Sequence, residues 1–256
     1  MKAGYHMGWL TNNVQIFKSY GDKCYEKIIE TETPQAERVA STIKKMISVG
    51  DLIKNKQINY SIHSDDLEFE KKFWGNCVNT FAEEEKQYIY GRCMSLKELR
   101  NGWRVAWFDV ENKSILDIGG GPSSMLLKCK NLKKGKVCDP INYPEWTKQR
   151  YKIHNIDVEY VHGEKINEKG WDEVWIYNCL QHVENVEKVI NNAKRSASVL
   201  RIFEWLDLPP HEGHPQMLTK AYLDNIIGMS GSNVVKLQEH GCFGTAYCGV
   251  FKFNKS

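Results

Sequence analysis

From about residue 106 the chain alternates two hydrophobic rhythms. SILDI (114–118), GKVCDP (135–140), VEYVHG (158–163), DEVWIYN (172–178) and SVLRIFEW (198–205) are short runs dense in apolar and β-branched residues, and they read as strands. Between them SSMLLKCK (123–130), PEWTKQRYKIH (144–154) and VENVEKVINNAKRSA (183–197) read as helices. In the last of these, Val183, Val186, Val189, Ile190 and Ala193 share one face while Glu184, Lys188 and Lys194 fall elsewhere. Strands separated by helices imply parallel β-α-β units with right-handed crossovers, hence an α/β, doubly wound, mostly parallel sheet with helices on both faces. At the end of the chain, NVVKLQEHG (233–241) and GTAYCGVFKFN (244–254) predict an antiparallel edge hairpin.

The first 105 residues follow a different pattern. TPQAERVASTIKKMISVGDLI (33–53) and DDLEFEKKFWGNCVNTFAEEEKQYIYGRCM (65–94) carry helical periodicity with acidic first turns, and KNKQINYSIHS (54–64) reads as a loop between them. Residues 1–33 show no assignable periodicity. The expected organisation is a mostly helical cap over 1–105 and a sheet domain over 106–256.

Composition narrows the function classes. With 41% hydrophobic and 26% charged residues the 256-residue chain reads as an ordinary soluble globule, and it lacks an apolar run long enough to span a bilayer. Its start has no basic stretch followed by an apolar segment and a cleavage site, so the expected location is cytoplasmic. The eight cysteines include no C-x-x-C pair, which argues for reduced thiols rather than a disulfide framework or a metal site. A net charge of +3 does not indicate a polyanion partner, although Lys128, Lys130, Lys133, Lys134 and Lys136 cluster where a solvated face is expected.

The candidate chemistry begins at SILDIGGGPSSMLLK (114–128), where a strand passes through three glycines into a predicted helix. Such a turn exposes backbone N–H groups and a helix start at the carboxyl edge of a parallel sheet, the place where ligands of doubly wound folds bind. Gly119, Gly120 and Gly121 suit close approach by a ligand, and Pro122 suits a first helical position. Dinucleotides and S-adenosylmethionine both use a turn of this kind. For a dinucleotide, Ser124 stands where a third small residue is wanted, and the chain after the glycines completes one sheet and little more.

The stretch Asp117-Ile118-Gly119-Gly120-Gly121-Pro122-Ser123 resembles motif I of the class I S-adenosylmethionine-dependent methyltransferases, with Ser123 in place of the last glycine. The resemblance implies a Rossmann-like seven-stranded sheet and S-adenosylmethionine as cofactor. It places Asp139, followed by Pro140, at the strand end that receives the ribose hydroxyls, and Gly163-Glu164 where the adenine amino group is met. YNCLQHVENVE (177–187) resembles a segment of the small-molecule branch, which sets Asn178, Cys179 and Leu180 beneath the methionine part. FWGNCVNTFAEEEKQYIYGRCM (73–94) and LRIFEWLDLPPHEGHPQMLT (200–219) look like segments of small bacterial and phage methyltransferases, so the likeness spans residues 73–253.

Methyl transfer to a hydroxyl asks for alignment and a base. The proline-stiffened loop after the fifth strand supplies His211 and His214, with Glu204 and Asp207 as orienting carboxylates, and His182 stands at a predicted helix start. Trp74, Tyr90 and Trp205 are candidate acceptor-pocket residues, with core packing as the alternative for each. The histidine pair is too sparse for a metal site. The expected reaction is therefore methyl transfer to a small-molecule acceptor, oxygen preferred over nitrogen because the loop offers bases. Nucleic acid is disfavoured: base-directed amine methyltransferases carry an N/D-P-P-Y/F motif where this chain has Asn178-Cys179-Leu180-Gln181. A cofactor-binding regulatory module, or an enzyme acting on a macromolecule, are the alternatives. Oligomeric state is not legible in the sequence.

Overall fold

The computed structural model describes residues 64–210, 213–229 and 231–253, all within one compact unit spanning Tyr60–Ser256. The patterned segment 33–53 and the predicted loop before residue 64 lie outside the described residues. Five helices are described: α1 (Ser64–Trp74), α2 (Cys77–Cys93), α3 (Glu145–Ile153), α4 (Val186–Ser196) and α5 (Lys220–Ile227). Eight strands accompany them: β1 (Lys97–Asn101), β2 (Arg104–Ile118), β3 (Cys129–Cys138), β4 (Ile156–Glu159), β5 (Trp171–Tyr177), β6 (Ala197–Trp205), β7 (Asn233–Glu239) and β8 (Cys242–Lys252).

The strands form one sheet in the order β4-β3-β2-β5-β6-β8-β7, with β1 paired to β2 off that path. The strands β4, β3, β2, β5 and β6 are mutually parallel. β8 runs antiparallel between β6 and β7, as the glycine-flanked terminal runs predicted. The eighth strand is β1, which lies inside the segment expected to be helical and makes a hairpin with the first half of β2. Strand order reverses direction at β2, so the crevice beyond the carboxyl ends of β2 and β5 is a topological switch point.

Side chains alternate between the two faces of the sheet. Leu116, Ile118, Val174, Ile176, Leu200 and Ile202 point to one face, where α4 brings Val186, Val189, Ile190 and Ala193, and α5 brings Leu223, Ile226 and Ile227. The other face carries Ile115, Trp175, Tyr177 and Phe203 against Ile89 and Tyr90 of α2 and Tyr151 of α3.

One predicted helix is not formed. SSMLLKCK contains only a 3-10 turn at Met125–Lys128, and Cys129 already belongs to β3. The reason is burial: Met125, Leu126, Leu127 and Lys128 are all buried, leaving no solvated side for an amphipathic helix. On that face of the sheet, α2 packs in the same core as this turn.

Candidate functional site

β2 ends beneath the glycine turn. Gly119 has φ +75° and donates its N–H to the Cys138 carbonyl at 2.8 Å, while Gly121 has φ +62°. Asp117 lies under this turn with no exposed surface, accepting hydrogen bonds from Ser124 Oγ and Tyr177 OH. Burial pushes its carboxyl up to about 7. Two tyrosines that the sequence did not single out fasten the turn from the core side. Tyr151 OH accepts from the Ser124 N–H and donates to the Gly121 carbonyl, and Tyr177 OH accepts from the Met125 N–H.

Ser123, which departs from the motif's glycine, is tied to α2: its Oγ donates to Glu84 Oε1 at 2.6 Å and its carbonyl accepts from Gln87 Nε2. Burial alone would raise the Glu84 carboxyl, but hydrogen bonds from Arg150 and Ser123 hold it below its ordinary value.

Asp139 follows β3 and closes the turn from the side. Its Oδ2 accepts from the Gly121 N–H at 3.0 Å and its Oδ1 from the Ile141 N–H at 2.9 Å. Burial raises this carboxyl to about 6. A carboxylate offers about four acceptor positions, so these two bonds leave capacity for a ligand's hydroxyls. After β4, Gly163 and Glu164 open a 3-10 turn, and Glu164 Oε1 accepts from the N–H groups of Glu184 and Asn185.

These elements surround one cavity, with an empty volume of about 1130 Å³ counting its open mouth. Its wall includes Gly119 through Ser123, Asp139, Pro140, Gly163, Glu164, Asn178, Cys179 and His182. The structure of the N-methyltransferase NodS from Bradyrhizobium japonicum WM9, in complex with S-adenosyl-L-homocysteine, matches with a TM-score of 0.51 at 12% identity, over 74% of this chain and 99% of NodS. A chain in the complex of the Haloferax volcanii Trm112 methyltransferase activator with a methyltransferase matches with a TM-score of 0.51 at 9% identity, over 74% of this chain and 99% of that one. The chain has the class I methyltransferase fold. No family model matches the sequence, and no curated protein matches it.

Within the methyltransferase fold, the segment after β5 forms the cavity floor. Asn178 takes φ +51°, and its Nδ2 donates to Glu83 Oε1 at 3.0 Å. Cys179 lines the cavity, but burial raises its thiol well above the ordinary range, which suits a packed thiol and not a nucleophile. Leu180 is fully buried and off the cavity wall.

Glu204 is also fully buried and off the wall. Its Oε1 accepts from both the Cys179 and Leu180 N–H groups, at 3.1 and 3.0 Å, so it holds the floor in place. Burial lifts its carboxyl from 4.5 to about 8. The folded state therefore favours the protonated form, and this group's contribution to stability, full below about 4.5, is lost as pH rises through about 8. Glu204→Gln keeps the acceptor and cannot ionise. The variant is expected to flatten the decline of melting temperature between pH 5 and 8 and to exceed the parent's stability at pH 8 by on the order of a few kcal/mol. Thermal melts across that range check it.

The other acceptor-side residues differ in where the fold puts them. His182 and Trp74 line the cavity, and both meet Glu70: His182 Nδ1 lies 3.6 Å from Glu70 Oε1, and Trp74 Nε1 donates to Glu70 Oε2 at 2.6 Å. His214 packs edge-on against His182 with ring centroids 4.4 Å apart, between the wall residues Gly213 and Pro215. Tyr90, Trp205 and Asp207 are off the wall: Tyr90 stacks on Phe203 at 4.2 Å, Trp205 packs edge-on to both, and Asp207 is exposed. His211 lies outside the described residues.

Glu70 and Glu83 were missed because acidic residues on amphipathic helices read as solvated faces; only the packing of α1 and α2 over the cavity distinguishes them. Among the described residues, no group of three or more His, Cys, Asp or Glu is placed to hold a metal ion. No described helix is long and apolar enough to cross a membrane.

Proposed function

We propose that the protein transfers a methyl group from S-adenosylmethionine to a small-molecule acceptor. The observation that carries this reading is the joint between Asp139 and Gly121, which sets a carboxylate with spare acceptor capacity beside a bare backbone turn on one cavity wall. The turn offers backbone to the amino-acid end, Asp139 holds the ribose hydroxyls, and Glu164 stands at the adenine end. Bound there, S-adenosylmethionine supplies an electrophilic methyl carbon on a sulfonium. Among the described histidines weighed as bases, His182 lines the cavity wall, and it takes the acceptor's proton, with Glu70 beside its Nδ1. The expected preference for an oxygen acceptor rests on the bases of the loop after β6, where His211 lies outside the described residues and the carboxylate of Asp207 stands off the wall.

Calorimetric titration with S-adenosylmethionine and S-adenosylhomocysteine tests the cofactor assignment. Micromolar binding, about −8 kcal/mol, is expected for both. Absence of binding by either would withdraw it. A purely regulatory module would bind both and never release S-adenosylhomocysteine in the presence of any acceptor.

A further inference from the structure

The cavity wall is unevenly charged. It carries the carboxylates of Glu70, Glu83, Asp139, Glu164 and Glu184, and no Lys or Arg among the described residues. On the proposed reading the cofactor accounts for Asp139 and Glu164, which sit at the strand ends that hold its ribose and adenine. Glu70 and Glu83 come from a different part of the chain, and both reach the segment that follows β5. Glu83 meets Asn178 at 3.0 Å, and Glu70 faces His182 at 3.6 Å. Lys86, which is not on the wall, pairs with Glu83 Oε2 at 3.2 Å and offsets part of that charge. Trp74 adds an aromatic surface at the same wall, with its indole N–H held by Glu70.

A carboxylate or phosphate acceptor would enter this space against like charges, and among the described wall residues no Lys or Arg meets it to offset its desolvation. A cation finds carboxylates and an aromatic face, the two features that favour a desolvated ammonium.

We propose that the methyl acceptor is a small cationic amine, received at the wall formed by Glu70, Trp74 and Glu83; this rests on the methyltransferase reading above. The ammonium first gives a proton to the imidazole of His182. The freed nitrogen lone pair then forms the N–C bond to the methyl carbon as the C–S bond breaks, and that bond's electron pair goes to sulfur. The products are a methylated ammonium and a neutral thioether, and His182 releases its proton to solvent.

The test uses the whole 256-residue chain saturated with S-adenosylhomocysteine and matched probes: phenethylamine, 2-phenylethanol and 3-phenylpropionate, with butylamine, 1-butanol and butyrate as a smaller set. Each amine is expected to bind about tenfold or more tightly than its alcohol, and the carboxylates not at all. Glu70→Gln and Glu83→Gln, whose amides keep an acceptor oxygen for Trp74 and Asn178, are expected to reduce the amine's advantage, and the thermal shift on adding S-adenosylhomocysteine reads whether fold and cofactor site remain intact. Intact cofactor binding with no preference for either amine, or with a preference that survives both substitutions, overturns the amine assignment alone. Loss of cofactor binding by the parent protein overturns the reading beneath it instead.

Discussion

Gly119→Ala is expected to abolish cofactor binding and to lower the melting temperature by on the order of 10 °C, through two separate costs. The backbone at Gly119 has φ +75°, a left-handed conformation that costs a residue with a Cβ about 1–2 kcal/mol. The added Cβ would also lie 2.6 Å from Cys179 Cβ and 2.7 Å from its Sγ, so the turn after β2 and the segment after β5 must part. Overpacking of this kind costs about 1–3 kcal/mol more. Gly121→Ala supplies the contrast. It shares the positive φ, +62°, but nothing lies nearer its Cβ position than the Tyr143 hydroxyl at 3.9 Å. That variant is expected to fold with a loss of about 1–2 kcal/mol while still obstructing the cofactor. Thermal melts with and without S-adenosylhomocysteine separate the two: Gly119→Ala loses both stability and the ligand-induced shift, Gly121→Ala chiefly the shift. Equal melting temperatures for the two variants would mean that the contact with Cys179 does not constrain the turn.

Asp139→Ala is expected to weaken S-adenosylhomocysteine binding by about a hundredfold. Two hydrogen bonds from ligand hydroxyls to a carboxylate are together worth about 3 kcal/mol or more, and each 1.4 kcal/mol is a factor of ten. Part of the loss is indirect, because the Gly121 and Ile141 N–H groups lose their acceptor and the turn loosens. Asp139→Asn, which keeps one carbonyl oxygen, is expected to fall between Ala and the parent. The pH dependence carries a sign that distinguishes this site from a merely structural carboxylate. Burial raises Asp139 from 3.8 to about 6, so its contribution to the stability of the free protein is full below about 3.8 and is lost as pH rises through about 6. The ionised form that accepts the ligand's hydroxyls appears over the same interval, so affinity is expected to rise between pH 5 and 7. Calorimetry at those two pH values checks it. An affinity that falls with pH, or that Asp139→Ala leaves in place, removes Asp139 from the cofactor site.

The expected and observed architectures differ for reasons that lie in particular residues. MLLK at 125–128 has the apolar content of a helix, and its failure to form one follows from burial on every side, a property of what surrounds it. β1 was hidden in the segment expected to be helical because KELRN at 97–101 carries little apolar content of its own; its pairing with the first half of β2 makes it a strand. Glu204 illustrates the same limit at the site. Its position at the end of a predicted strand suggested an orienting carboxylate beside the acceptor loop, whereas the fold turns it inward to hold the Cys179 and Leu180 N–H groups.

The sequence by itself determined the parallel core and the edge hairpin, because those depend on local periodicity and on the glycines and polar turns that punctuate the strand ends. It also set which residue types stand at the turn after β2 and at Asp139, since both are read directly at strand ends. The tertiary structure alone decided which acidic side chains face the cavity. Glu70 and Glu83 are ordinary helix-surface residues by spacing, and His182, His214, Glu204 and Asp207 are equally titratable by type. Only packing, which removes some of these groups from water and leaves others on a shared wall, tells them apart.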